Sequence, residues 1–157
     1  MKKLKILATI PARGGSKSVL RKNIYKLGGK PLIAYTIEEA LKSKYITDVV
    51  VSTDDEEISE VSKEYGAKVP FLRPSELASD TSNDVDFIIH ALNWLDANEN
   101  YIPDLVVLLR PTTPLREIKY IDESIDILIQ NNKATSLRSS HPVSESPFKW
   151  FSMIDKF

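Results

Sequence analysis

Between Ile10 and Lys30 the chain carries Arg13, Lys17, Arg21, Lys22, Lys26 and Lys30 and not one acidic residue, with Gly14 and Gly15 side by side among the first cations. Glycine lets a backbone approach a ligand closely, so Ala12, Gly14, Gly15 and Ser16 can offer main-chain N–H groups to an anion. Arg13, Lys17 and Lys22 can add charge-assisted hydrogen bonds. Such residues in one short segment point to a phosphate-bearing partner. The spacing fits neither the G-x-x-x-x-G-K-[ST] loop nor the G-x-G-x-x-G fingerprint. A solvated basic loop whose glycines only turn the chain is the alternative.

Three further groups could do chemistry. Asp54 and Asp55 follow a hydrophobic run, where carboxylates can hold a divalent cation near phosphates or cap a helix, and Glu56 and Glu57 behind them favour the cap. Asp80, Thr81, Ser82, Asn83 and Asp84 form a polar turn that serves capping and ligand contact equally well. The stretch RPTTPLR, from Arg110 to Arg116, packs two prolines, two threonines and two arginines into one loop. Its prolines stiffen it, and Arg110, Thr112, Thr113 and Arg116 offer polar contacts; strand termination alone explains it less well. His90 reads as a packed or half-exposed residue and His141 has no identifiable partner, so neither is assigned to catalysis or to a metal pair.

The elements that position these groups alternate in type. Short apolar, β-branched runs at Leu4 to Ile10, Asp48 to Thr53, Lys68 to Leu72 and Asp104 to Leu109, with a weaker one at Ala134 to Arg138, suit strands covered on both faces. Helical spacing lies between them. Pro31 can open a helix with Ile33, Ile37, Ala40 and Leu41 on one face. Asp54 or Thr53 can cap a second over Ile58, Val61 and Tyr65, closed by Gly66. Val85, Ile88, Ile89, Leu92 and Leu95 mark a third, and Ile118, Ile121, Ile125, Leu128 and Ile129 a fourth. Strands alternating with helices give a three-layer α/β sandwich with a mostly parallel sheet. In such sheets ligands bind beyond the carboxyl ends of the strands, which is where the first strand delivers Gly14 and Gly15.

At 157 residues and 42% hydrophobic content the chain can bury one core, so a single domain over residues 1–157 is expected. A net charge of −1 argues against a non-specific nucleic-acid binder, which makes the basic loop a local feature. The absence of cysteine removes thiol chemistry and fits a cytoplasmic protein. The apolar run near the N-terminus is broken by Lys5 and is too short for a secretory core or a membrane span, so no membrane association is expected. The tail beyond Arg138 is rich in Ser and Pro, and its Phe148, Trp150 and Phe151 need burial somewhere.

Four segments in order, IPARGGSKSVLRKN with LGGKPLIAYTIEEAL, VSTDDEEI, RPSELASDT and LLRPTTPLR, closely resemble the N-acylneuraminate cytidylyltransferases, from about Leu4 to about Leu128. These enzymes make CMP-activated nonulosonic acids from CTP. The resemblance implies a Rossmann-like nucleotide-binding fold of the nucleotide-diphospho-sugar transferase type. It implies that Arg13, Lys22 and Asn23 hold the CTP phosphates, with Arg13 and Lys22 in the catalytic role, and that Arg73 and the backbone near Ser82 surround the cytidine. Arg110 and Thr112 are the candidates for the sugar acid. It also implies Mg²⁺ as cofactor, with metal ligands unassigned, and a homodimer for a full-length chain. Ser18 and Leu20 stand where the family commonly has glycine and proline, and Arg110 where the sialic-acid enzymes carry glutamine. The family runs on past the position of Phe157, so a C-terminally shortened domain is expected. A nucleotidyltransferase of the same fold for another sugar acid, and a non-catalytic nucleotide-binding module, are the rival functions.

Overall fold

The computed structural model describes residues 3–16, 19–79, 82–131 and 133–140. In chain order the elements are strand β1 (Ile6–Pro11), a hairpin of β2 (Lys26–Leu27) and β3 (Lys30–Pro31), helix α1 (Leu32–Leu41), strand β4 (Asp48–Ser52), helix α2 (Glu56–Glu64), helix α3 (Asp84–Glu99), strand β5 (Leu105–Leu108) and helix α4 (Ile118–Gln130). Short 3-10 turns lie at Lys22–Ile24 and Ser75–Leu77.

The most apolar run makes the middle strand. β1 pairs in parallel with β4 on one side, Leu7 opposite Asp48, and with β5 on the other, Leu7 opposite Val106. Side chains of a strand alternate between faces, and β1 uses both. Ile6, Ala8 and Ile10 join Ile33 and Ile37 of α1, Ile58 of α2 and Ile121 and Ile125 of α4 in the main core. Leu7 and Val50 meet Phe71 and, from α3, Ala91 and Leu95 in a smaller core on the opposite face. Helices therefore cover both faces, α3 opposite the other three, and the α/β sandwich with a parallel main sheet stands as expected.

Several details differ from the sequence expectations. Residues 68–72 are not a strand: Lys68 bridges to Val50 and Leu72 to Thr53 in the parallel sense, as isolated contacts. Pro70 lies between them and has no N–H to give to a ladder. Residues 134–138 are irregular and find no ladder partner among the described residues. β5 is only half-buried, since no described strand flanks its outer edge. Pro31 stands just before α1 as its cap rather than in its first turn, and Leu41 is exposed. Asp55, neither Thr53 nor Asp54, caps α2 by accepting the Ile58 N–H at 3.0 Å. Gly66 follows that helix at a φ of +93°, as the expected closing residue.

The largest difference concerns α3. Val85 and Ile89 are exposed, and Phe87, Ala91 and Leu95 form the buried stripe. The helix is apolar on nearly every side, so periodicity does not select a face; the sheet does. At the far side, α4 is tied to α1 by polar contacts. Glu39 accepts the Ile118 N–H at 3.2 Å, Ser43 donates to Asp122 at 2.5 Å, and the Tyr45 hydroxyl donates to Asp126. The expectations for Lys17, Asp80, Thr81, His141, Phe148, Trp150 and Phe151 lie outside the described residues.

The face of α3 is tested by two truncations followed in urea. Leu95→Ala, 2% exposed in the wild type, is expected to lower stability by about 3 kcal/mol, and Ile89→Ala, 49% exposed, by no more than about 0.5 kcal/mol. Equal losses would place Ile89 in the core.

Candidate functional site

β1 and β5 are neighbours in the sheet, yet the chain runs from β1 out to β4 on one side and comes back to β5 on the other, so the strand order reverses between them. Between the loops that leave β1 and β5, beyond the carboxyl ends of the strands, lies a cleft of about 280 Å³. This is the switch-point position at which open α/β sheets bind ligands. Arg13, Ser16, Lys22 and Asn23 line it from the β1 loop; Arg110 and Thr112 line it from the β5 loop. Arg73 and Phe87 form its inner wall, with Ser82 and Asp84 at the start of α3.

The β1 loop is shaped by acids that lie far ahead in sequence. Gly14 donates its N–H to Asp54 at 2.9 Å, and a Cβ built on Gly14 would stand 2.7 Å from Asp55 Oδ2, too close for any other residue without a shift. Both acids belong to the turn between β4 and α2, which lies beside the loop because β1 and β4 are paired up to Pro11 and Ser52. Arg21 reaches back to the same turn, 2.7 Å from Asp55 and 2.8 Å from Glu57. Its backbone is left-handed, φ 52° and ψ 37°, a conformation that costs a residue with a Cβ about 1 kcal/mol. Asn23, buried, donates its side-chain amide to the Arg13 carbonyl at 3.0 Å and closes the loop from within.

The five described cations of the motif therefore divide. Arg13 and Lys22 line the cleft. Arg21 is held by Asp55 and Glu57, and Lys30 by Glu38 at 2.5 Å. Lys26 is exposed on the hairpin. The backbone groups divide in the same way. Ala12 is fully buried and gives its N–H to Ser52 at 3.0 Å, and the Gly14 N–H is committed to Asp54. Gly15 is open to solvent beside the cleft rather than in its wall, so the side chains carry the anion-facing chemistry more than the glycine amides do.

Arg73 was expected at the site, and its setting is unusual. It is 6% exposed, donates to the carbonyl oxygens of Ser52 and of Leu77, the latter at 3.3 Å, and stands 5.0 Å above the Phe87 ring. Burial pulls its pKa below the usual arginine range; Asp54 opposes this and Arg13 adds to it. An arginine stays charged even so. Its Nε is buried without a hydrogen-bond partner, an unsatisfied donor at the cleft wall. Ser82 is bound up locally, its hydroxyl donating to the Glu76 carbonyl at 3.0 Å and lying 2.7 Å from the Ser79 hydroxyl.

At the other end of the cleft Arg110 forms an ion pair with Asp84, a partner that the sequence order conceals. Arg116 staples the loop by donating to the Arg110 carbonyl at 2.7 Å and the Thr113 carbonyl at 3.3 Å, and burial lowers its pKa. Thr112 and Thr113 are exposed. His90 packs edge-on against Phe71 at 4.8 Å, away from the cleft lining, and burial followed by the nearby Arg73 lowers its pKa. It is a packed residue, as its place in the helix suggested.

A divalent cation finds no ready-made cage here. Among the described residues no group of three or more Asp, Glu or His could hold a metal ion. Asp54 accepts from Gly14, Asp55 from Ile58 and Arg21, and Asp84 faces Arg110. The described carboxylates thus do not fit a resident Mg²⁺ site.

Comparison with known proteins agrees with this geometry. A family model described as cytidylyltransferase matches residues 7–149. The CMP-N,N'-diacetyllegionaminic acid synthase of Legionella pneumophila is 42% identical over 152 residues, covering 97% of this chain and 64% of that protein. A pseudaminic acid cytidylyltransferase of Campylobacter jejuni is 44% identical over 128 residues, covering 82% of this chain and 55% of that protein. The chain thus spans less than two thirds of the length of these relatives. Among solved structures, CMP:2-keto-3-deoxy-manno-octonic acid synthetase complexed with CTP superimposes with a TM-score of 0.68 at 21% identity, covering 81% of this chain and 48% of that one, a likeness of fold. A cytidylyltransferase from Leptospira borgpetersenii gives 0.62 at 28% identity, covering 82% and 50%. Since the family match runs through the basic loop, the buried Arg73 and the Arg110 loop alike, the chain belongs to the cytidylyltransferase family.

Proposed function

We propose that this chain carries the CTP-binding part of an enzyme that activates a nonulosonic acid as its CMP derivative. The observation that carries the proposal is the convergence of Arg13, Lys22 and the buried Arg73 on one switch-point cleft while the neighbouring acids turn away to hold the loop. In this reaction the anomeric hydroxyl oxygen of the sugar acid bonds to the α-phosphorus of CTP. The bond from that phosphorus to the bridging oxygen breaks, pyrophosphate leaves, and the hydroxyl proton is lost. Charge on the phosphate oxygens is the chief demand, so fixed cations serve better than a nucleophilic side chain. Arg13 and Lys22 meet the phosphates, Arg73 and the Ser82 region the cytidine, and Arg110 with Thr112 the sugar acid. Mg²⁺ belongs to the proposal as counter-ion of the triphosphate, and no step is assigned to it. The proposed setting is the cytoplasm and the proposed assembly a homodimer; no helix among the described residues is long and apolar enough to cross a membrane.

Two measurements test the assignment of the two ends. Lys22→Ala is expected to weaken CTP more than CMP in calorimetry, by about tenfold or more, because the triphosphate carries the extra charge that the ammonium meets. Equal losses for both nucleotides would remove Lys22 from the outer phosphates. In the full-length protein, with turnover followed by pyrophosphate release, Arg110→Gln is expected to raise KM for the sugar acid about tenfold to a hundredfold with CTP affinity unchanged. A guanidinium can grip a carboxylate through two parallel hydrogen bonds, whereas glutamine makes weaker neutral ones. Unchanged kinetics across several nonulosonic acids would make Arg110 a surface residue. Failure of the wild type to bind CTP would overturn the whole reading.

A further inference from the structure

Arg21 is a cation of the basic motif that the proposed CTP site leaves unused, and its surroundings show a different employment. It stands in the left-handed region immediately before the 3-10 turn that carries Lys22 and Asn23. Local backbone preference does not hold an arginine there. What meets it is the N-terminus of α2: its Nη2 atom lies 2.7 Å from Asp55 Oδ1 and 2.8 Å from Glu57 Oε2. Asp55 is at the same time the helix cap, so its carboxylate is fixed from the other side by the Ile58 N–H. At the opposite end of the loop Gly14 is tied to Asp54 and pressed against Asp55. One acidic turn thus grips the loop twice, at Gly14 just after Arg13 and at Arg21 just before Lys22.

We infer that Arg21 is a positioning residue, whose bridge across Asp55 and Glu57 sets the turn from which Lys22 and Asn23 face the phosphates. The inference rests on the reading of the cleft as a CTP site. A lysine ammonium rides on a long, flexible stem, so the placement of its charge depends on where the backbone starts the side chain. The Lys22–Ile24 turn has no side-chain cap of its own and starts from the strained Arg21. The clamp supplies what the local sequence does not. Arg21 therefore acts on the triphosphate through Lys22 and Asn23 and not as a ligand.

Three substitutions separate this role from its rivals, each measured by calorimetry with CTP and with CMP on the full chain. Arg21→Gly relieves the left-handed backbone and removes the clamp; CTP is expected to weaken about tenfold and CMP no more than about twofold, the scale of a misplaced rather than a deleted contact. Arg21→Lys, which keeps a cation able to reach at least one acid, is expected to recover most of the CTP affinity. Glu57→Gln gives a test of sign. If Arg21 served only as part of the positive field, deleting a neighbouring negative charge would tighten CTP; if it is clamped by Glu57, CTP weakens, by about threefold. Glu57 is exposed, so this variant remains decisive should the glycine variant fold poorly. Wild-type affinity in Arg21→Gly, or tighter CTP in Glu57→Gln, overturns the positioning role while leaving the CTP site intact. No CTP binding by the wild type overturns the site and the inference together.

Discussion

Gathering cations at the end of one strand sets the constraint on which the rest of this structure depends. Two unit charges 4 Å apart repel by about 1 kcal/mol in water and about 4 kcal/mol at the effective dielectric near a protein surface. A loop with Arg13, Arg21 and Lys22 would open if left to itself. The turn between β4 and α2 prevents this, with Asp54 on the Gly14 N–H and Asp55 and Glu57 on Arg21. Asp55 also starts α2, so the same carboxylate serves the helix and the loop. The pairing of β1 with β4 up to Pro11 and Ser52 is what brings this turn alongside.

The sheet order then decides where the held cations point. β1 lies between β4 and β5, and the loops that leave β1 and β5 border the cleft together with the start of α3. Arg73 enters from the extended segment beyond β4 and fills the floor. A buried guanidinium is costly unless its donors are met, and here the Ser52 and Leu77 carbonyls, the Phe87 ring and the field of Asp54 share that task. The α3 helix, packed on the sheet through Ala91 and Leu95, brings Phe87 to the right depth. The core on one face and the site at the strand ends are thus joined through a single helix.

Much of the fold was legible because its signals are local. Covered parallel strands read as apolar runs, and the spacing of Ile33, Ile37 and Ala40 or of Ile121 and Ile125 names the buried faces directly. Of the residues expected at the site, Arg13, Ser16, Lys22, Asn23, Arg73, Ser82, Arg110 and Thr112 line one cleft, whereas Ala12, Gly14 and Gly15 do not. What could not be read was which partner each charge would take. Arg21 meets Asp55 and Arg110 meets Asp84 across 34 and 26 residues of chain, distances fixed by strand adjacency that no local pattern encodes. The same holds for Asp54 and Asp55, which look interchangeable in sequence; only the folded turn gives Asp54 the Gly14 N–H and leaves Asp55 to serve both the helix cap and Arg21. The face of α3 was hidden for the opposite reason, an excess of apolar residues around the whole helix.

The two ends of the cleft use ion pairs in opposite ways. At the β1 loop the acids hold Arg21 aside, and Lys22 meets the cleft with no acid partner among the described residues. At the mouth an acid stands on the cation that the proposed acceptor needs, since Asp84 pairs with Arg110. Both side chains of that pair are well exposed, and exposed pairs contribute roughly 0 to 1 kcal/mol, so the pair is easily exchanged. An arriving carboxylate can take the guanidinium only if Asp84 yields it or shares it, and Asp84 repels the newcomer until it does. At the other end the proposed triphosphate meets in Lys22 a cation with no such acid among the described residues. On the proposed reading the nucleotide end therefore attracts by net charge, which any polyphosphate satisfies, while the mouth admits an anion only where its shape lets it outcompete a carboxylate already in place. With Arg110 in the proposed role, selectivity for the acceptor is a property of this contest, and it depends on Asp84 as much as on Arg110.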